Sequence, residues 1–127
     1  MPGPIHSILI VDDSTIVRRV MRRQLEALGD FALYEAVNGA EGVALYMEHR
    51  PDLVFLDLTM PVMGGEEALA LIRAHDPTAL VVVATADVQR GSRERVEAAG
   101  AWRMLPKPIH ADVLSTTLAS AYALLGG

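Results

Sequence analysis

Residues 52–65 read DLVFLDLTMPVMGG: four large apolar residues, Leu53 to Leu56, run without interruption into Asp57, and a loop with Pro61, Gly64 and Gly65 follows. An apolar run that does not alternate with polar residues reads as a strand buried on both faces, the mark of a parallel sheet covered by helices on either side. A carboxylate gains nothing by packing at the end of such a run. It does stand where open α/β sheets bind ligands, beyond the carboxyl ends of their strands.

Similar apolar runs lie on both sides of this stretch. SILIV (Ser7 to Val11) and ALVVVA (Ala79 to Ala84) are also nearly continuous, while Phe31 to Ala36 and the short Met104 to Leu105 supply two more. Helix-like segments separate them, as parallel strands require. In the first, Val17, Val20, Met21, Leu25 and Leu28 recur at helical spacing from about Ser14 until Gly29 stops the pattern. The second and third span roughly 40–48 and 66–74, and the fifth follows Pro108 with Val113, Leu114, Leu118, Ala121 and Leu125 expected inward. The fourth, QRGSRERVEAA at 89–99, has Val96 as its single large apolar residue and an internal Gly91, so its hold on the sheet should be weak. Weak anchoring suits a moving part. Five strand–helix units give an α/β domain with helices on both faces of a five-stranded parallel sheet.

A length of 127 residues with 51% apolar content suits one domain over 1–127, and no linker or further output domain is expected. Cysteine is absent, which removes disulfides and thiolate metal sites and leaves the cytoplasm as the expected location. No stretch reaches the roughly 18 apolar residues of a membrane span, so no membrane insertion is expected. The net charge of −5 argues against direct nucleic-acid binding, which draws on excess Lys and Arg. Arg18, Arg19, Arg22 and Arg23 do cluster, with 18 and 22 on one helical face and 19 and 23 on the next. A solvated helix face is the plain reading of that cluster.

Polar residues fall at the strand ends. The first strand runs into Asp12 and Asp13, the third into Asp57, the fourth into Thr85, and Lys107 follows the fifth. In a parallel sheet these ends share one edge, and if the strand order is 2-1-3-4-5 the crevice opens between the first and third strands, where the three carboxylates would meet. Taken singly, Asp12 and Asp13 also read as an acidic helix start, Asp57 as a turn cap and Thr85 as an ordinary strand end. Their coincidence on one edge favours a site. Three carboxylates and one ammonium leave a formal −2, a costly arrangement that a divalent cation balances. An all-oxygen donor set favours Mg²⁺. A carboxylate nucleophile beside Mg²⁺ and a lysine suits phosphoryl transfer through an acyl phosphate.

These residues are those by which the sequence resembles the receiver domains of bacterial response regulators. ILIVDDS, EAVNGAEGVAL, DLVFLDLTMPVMGG, VVVATAD and GAWRMLPKP occur in family order and spacing across essentially the whole chain. The resemblance implies the flavodoxin-like fold with strand order 2-1-3-4-5 and a phosphorylation-dependent switch. It implies Asp57 as phosphoacceptor, Asp13, Asp57 and the Thr59 carbonyl as Mg²⁺ ligands with Asp12 acting mainly through water, and Thr85 and Lys107 on phosphoryl oxygens. It further implies a cis Lys107–Pro108 bond, a histidine kinase or phosphotransfer protein as donor, and Thr59 and Asp87 beside the path of attacking water. By the same resemblance Arg18 and Arg22 on the first helix become partner contacts. Trp102, just before the fifth strand, reads as partial packing or as a surface anchor for a partner.

Two positions depart from the family pattern. Met104 stands where many receivers have Tyr or Phe working with the threonine, so the switch is expected to run through Thr85 and Met104 without an aromatic flip. Gly64 precedes Gly65 where an acidic residue or asparagine is frequent, which should loosen the loop after Asp57. The four histidines are scattered, and Met60 and Met63 read as loop packing. Two other functions fit less well. An aspartate-nucleophile phosphatase needs a second carboxylate two residues after the nucleophile, where this chain has Thr59, and a flavin carrier needs a phosphate cradle where this chain has DDSTIV. A receiver excised from a larger regulator fits the same residues.

Overall fold

The computed structural model describes residues 5–86 and 90–126. Its elements are β1 (Ser7–Val11), α1 (Thr15–Leu28), β2 (Ala32–Ala36), α2 (Gly39–His49), β3 (Leu53–Asp57), α3 (Gly65–His75), β4 (Val81–Thr85), α4 (Arg90–Ala98), β5 (Arg103–Pro106) and α5 (Ala111–Gly126). The strands form one parallel sheet in the order β2-β1-β3-β4-β5. The expected topology is borne out, with two strands reaching further than the apolar runs: Asp57 closes β3 and Thr85 closes β4.

Register brings the polar ends level. Val11 pairs with Leu56, so Asp12 and Asp57 follow side by side, while Thr85 pairs with Pro106, the residue before Lys107. The three central strands are apolar because each contributes alternate residues to two cores. On one face Leu9, Val54, Leu56, Val83 and Met104 pack with Tyr46 of α2, Leu69 and Ile72 of α3 and Val96 of α4. On the other, Ile8, Ile10, Phe55 and Val82 pack with Met21 and Leu25 of α1 and with Leu114 and Leu118 of α5.

Helix burial is narrower than periodicity suggests. On α1 only Met21 and Leu25 are buried, whereas Val20 and Leu28 are exposed. On α5 Val113 and Leu125 also face solvent, and Thr117 takes a buried position by donating its hydroxyl to the Val113 carbonyl at 2.8 Å. Two helices lying side by side on one face each bury one stripe and leave their outer flanks open. Gly29 ends α1 with extended backbone and not a left-handed turn; a Cβ there would sit 2.7 Å from the Phe31 ring. In α4 Val96 is fully buried, an anchor worth about 1.5–3 kcal/mol. Arg95 of α4 also pairs with Glu66 of α3 at 2.9 Å, a contact outside the apolar face from which weak docking was expected.

Candidate functional site

At the carboxyl edge, Asp12, Asp13 and Asp57 each place a carboxylate oxygen within 4.8 Å of the others. The local sequence explains how. Asp12 leaves β1 still tied to the sheet, its N–H donating to the Ala36 carbonyl at 3.1 Å. The Ser14 N–H donates to Asp12 Oδ1 at 2.9 Å, while the Ser14 hydroxyl accepts from Val17 N–H and caps α1. Lys107 Nζ reaches Asp12 Oδ2 at 2.7 Å and Asp57 Oδ1 at 3.2 Å. Both Asp12 oxygens are therefore engaged by the protein. Asp13, in contrast, is exposed and holds no hydrogen bond or ion pair with any described residue. This division suits Asp13 as a direct metal ligand and Asp12 as an indirect one.

Asp57 is buried, and its proton affinity is raised by that burial and then by the Asp12 charge; the Lys107 ammonium and the Thr59 N–H oppose the shift without cancelling it. Burial would lower the affinity of Lys107, but the Asp12 and Asp57 carboxylates outweigh it and raise it above the ordinary lysine value. Carboxylate repulsion thus survives the lysine. A compact all-oxygen donor set with residual negative charge fits a hard divalent cation.

The loop after Asp57 is tightly tied. Gly65 N–H donates to the Leu58 carbonyl at 2.9 Å and Gly39 N–H to the Met63 carbonyl at 3.0 Å. The paired glycines were expected to loosen this segment, yet Gly65 serves close approach: a Cβ there would lie 2.2 Å from the Asp57 carbonyl oxygen. Met63 N–H bonds the Pro61 carbonyl at 2.7 Å across Val62, whose φ of 69° makes this the strained form of γ-turn. Thr59 is exposed on the same loop. Met60 and Met63 pack partly buried against the core, as expected.

Thr85 is buried beside the cluster, and its carbonyl accepts from Lys107 N–H at 2.8 Å, linking β4 to the lysine. The Lys107–Pro108 peptide is cis. Met104 is buried with Val83 and Val96, under α4. Asp87 lies outside the described residues. Trp102 packs partly buried at the start of β5 with the Arg103 guanidinium 4.7 Å above its ring, far along the strand from the acids.

Arg18 and Arg22, read from sequence as partner contacts, are engaged inside the molecule. Their Nε atoms pair with the two carboxylate oxygens of Glu35 at 3.1 and 2.8 Å. Arg19 and Arg23 are the exposed pair. Sequence reasoning missed Glu35, Gly39 and the backbone contact of Arg18 described below. Nothing in local spacing marks any of them.

A family model for the response regulator receiver domain matches residues 8–119. The chain is 40% identical to the chemotaxis protein CheY of Listeria monocytogenes over 114 residues, covering 90% of this chain and 96% of that protein. Against CheY of Bacillus subtilis it is 40% identical over 107 residues, covering 84% and 89%. A chain in the crystal structure of the CheX–CheY–BeF3–Mg²⁺ complex from Borrelia burgdorferi superposes with a TM-score of 0.88 at 28% identity, covering 92% and 89%. The chain belongs to the response regulator receiver domain family and is a phosphorylation-dependent signalling switch. Within that family it is CheY-like, similar over most of its length to the two CheY proteins above. Receiver domains generally bind Mg²⁺ in an acidic pocket, the place held here by Asp12, Asp13 and Asp57. No helix among the described residues is long and apolar enough to cross a membrane.

Proposed function

We infer that Asp57 is the phosphoacceptor, and the observation that carries this is the meeting of three carboxylates within 4.8 Å with Lys107 3.2 Å from Asp57. Asp57 attacks phosphorus, the bond to the donor's imidazole nitrogen breaks, and the imidazole leaves with the electron pair. Asp13, Asp57 and the Thr59 carbonyl hold Mg²⁺, and Asp12 acts on it through water. When bound, the ion neutralises phosphoryl oxygens and the acid cluster together. Lys107 is held by Asp12 within reach of those oxygens, and the Thr85 hydroxyl supplies a donor from β4. Thr59 and Asp87 frame the path of water in the later hydrolysis. Apart from its own phosphorylation and dephosphorylation, the domain catalyses nothing.

The donor is a histidine kinase or phosphotransfer protein in the cytoplasm. A groove of about 470 Å³ between α1 and the loop after β5 supports this, because Lys107 lines it together with Ile16, Val20 and Ile109. Ile16 is 73% exposed and Val20 50%. An apolar helix seated there meets the same lysine that touches Asp57, and exposed Arg19 and Arg23 flank it. On phosphorylation, Thr85 moves toward Asp57, and Met104 and α4 follow.

Intact-mass measurement after incubation with acetyl phosphate tests the reading. One phosphoryl group should appear in the presence of Mg²⁺, and none with excess chelator or in Asp57→Asn. Equal incorporation by Asp57→Asn would overturn the assignment.

A further inference from the structure

Arg18 is the more enclosed of the two arginines on Glu35: its side chain is 11% exposed, against 37% for Arg22. Each guanidinium nitrogen has its own partner. Nε meets Glu35 Oε1 at 3.1 Å, Nη2 meets the Thr15 hydroxyl at 3.3 Å, and Nη1 donates to the backbone carbonyl of Asp12 at 2.6 Å. We propose that Arg18 is a positioning residue for the acidic site, holding Asp12 and Asp13 in their ligating places through the Asp12 carbonyl.

The peptide unit whose oxygen Arg18 grips joins Asp12 to Asp13. Fixing its orientation fixes the step from β1 into the loop, and with it the direction in which Asp13 leaves the strand. Asp12 has three further restraints, at its N–H, at Oδ1 and at Oδ2. Asp13 has none of its own among the described residues, so its placement depends on that shared peptide. Adjacent carboxylates repel one another, and a loop free to turn would relieve the repulsion by separating them. A charge-assisted bond to a planar, pre-organised donor resists such turning better than a neutral one. Glu35 takes its second hydrogen bond from Arg22 Nε at 2.8 Å, while the Arg18 bond to the Asp12 carbonyl runs from a separate nitrogen, Nη1. Arg22 itself bonds the Leu33 carbonyl and does not contact Asp12, which makes it the internal control. Metal sites commonly depend on such outer contacts, whose loss lowers metal affinity about 10–100-fold.

The inference rests on the reading of the acids as a Mg²⁺ site, and the test separates the two. Mg²⁺ affinity of the unphosphorylated protein is measured by titration of backbone amide chemical shifts for wild type, Arg18→Met, Arg18→Lys and Arg22→Met. Arg18→Met should bind about tenfold more weakly. Arg18→Lys, which keeps the charge but replaces three separately bonded nitrogens with one, should fall between it and wild type, and Arg22→Met should stay near wild type. In metal-free protein, amide exchange at Asp13 and Ser14 should quicken in the two Arg18 variants and not in Arg22→Met. Unchanged affinity and exchange in a folded Arg18 variant, or equal losses in Arg22→Met, would overturn the proposal. If wild type itself binds no Mg²⁺, the metal reading falls, and the exchange measurement still decides the role of Arg18.

Discussion

Lys107 Nζ lies 2.7 Å from Asp12 Oδ2, closer than its 3.2 Å contact with Asp57. The lysine is thus parked chiefly on the acid that is not the nucleophile, leaving Asp57 partly uncompensated. Its proton affinity is raised in the fold because the carboxylates outweigh burial, so its contribution to stability is present below the ordinary lysine value of 10.5 and is lost as the pH rises through the raised value. Lys107→Met should therefore lower the thermal midpoint at neutral pH, and its deficit should shrink at strongly alkaline pH, where the wild type also loses the ammonium. Melting curves across that range check it.

Asp57 shows the opposite side of the same balance. Its proton affinity in the fold is raised from the ordinary 3.8 by burial and then by Asp12, so its stabilising contribution is fully present below 3.8 and disappears as pH rises through the folded value. At neutral pH the charged carboxylate works against folding. Asp57→Asn should melt higher than wild type in metal-free neutral buffer, and the gain should vanish in acid. Mg²⁺ should raise the wild-type midpoint more than that of the variant. A variant that melts lower than wild type without metal would contradict the picture.

Val62 occupies left-handed backbone at φ 69° with its side chain 84% exposed, so nothing in packing offsets the strain of a β-branched residue there. The left-handed region costs an L-residue roughly 1–2 kcal/mol, and asparagine tolerates it better. Val62→Asn should stabilise the domain by about 1 kcal/mol, seen as a higher urea midpoint with unchanged slope. An unchanged or lower midpoint would show that the turn is not strained in solution.

Met104 is buried under α4 with Val83 and Val96, and the Arg95–Glu66 pair at 2.9 Å joins α4 to α3. A flexible side chain at this place suits a graded shift between states more than a two-position flip. Amide exchange across residues 90–105 should rise or fall on phosphorylation of Asp57, together with the fluorescence of Trp102. If both signals are the same in the two states, output leaves by another face.

Much of this molecule was legible in the residue order. Continuous apolar runs gave the buried parallel strands, since only a sheet covered on both faces tolerates them, and the polar residue ending each run marked the site edge because parallel strands all end there. Asp12, Asp13, Asp57, Thr85 and Lys107 were therefore found without coordinates. The pattern could not say which flanks of α1 and α5 stay open, because periodicity defines a stripe and only the neighbouring helix limits its width. Nor could it show that Arg18 turns inward to Glu35 and the Asp12 carbonyl, that Gly39 ties α2 to Met63, or that Gly65 makes room beside Asp57. These contacts join residues distant in the chain or depend on backbone direction, and they exist only once the sheet order has brought β1, β2 and β3 together.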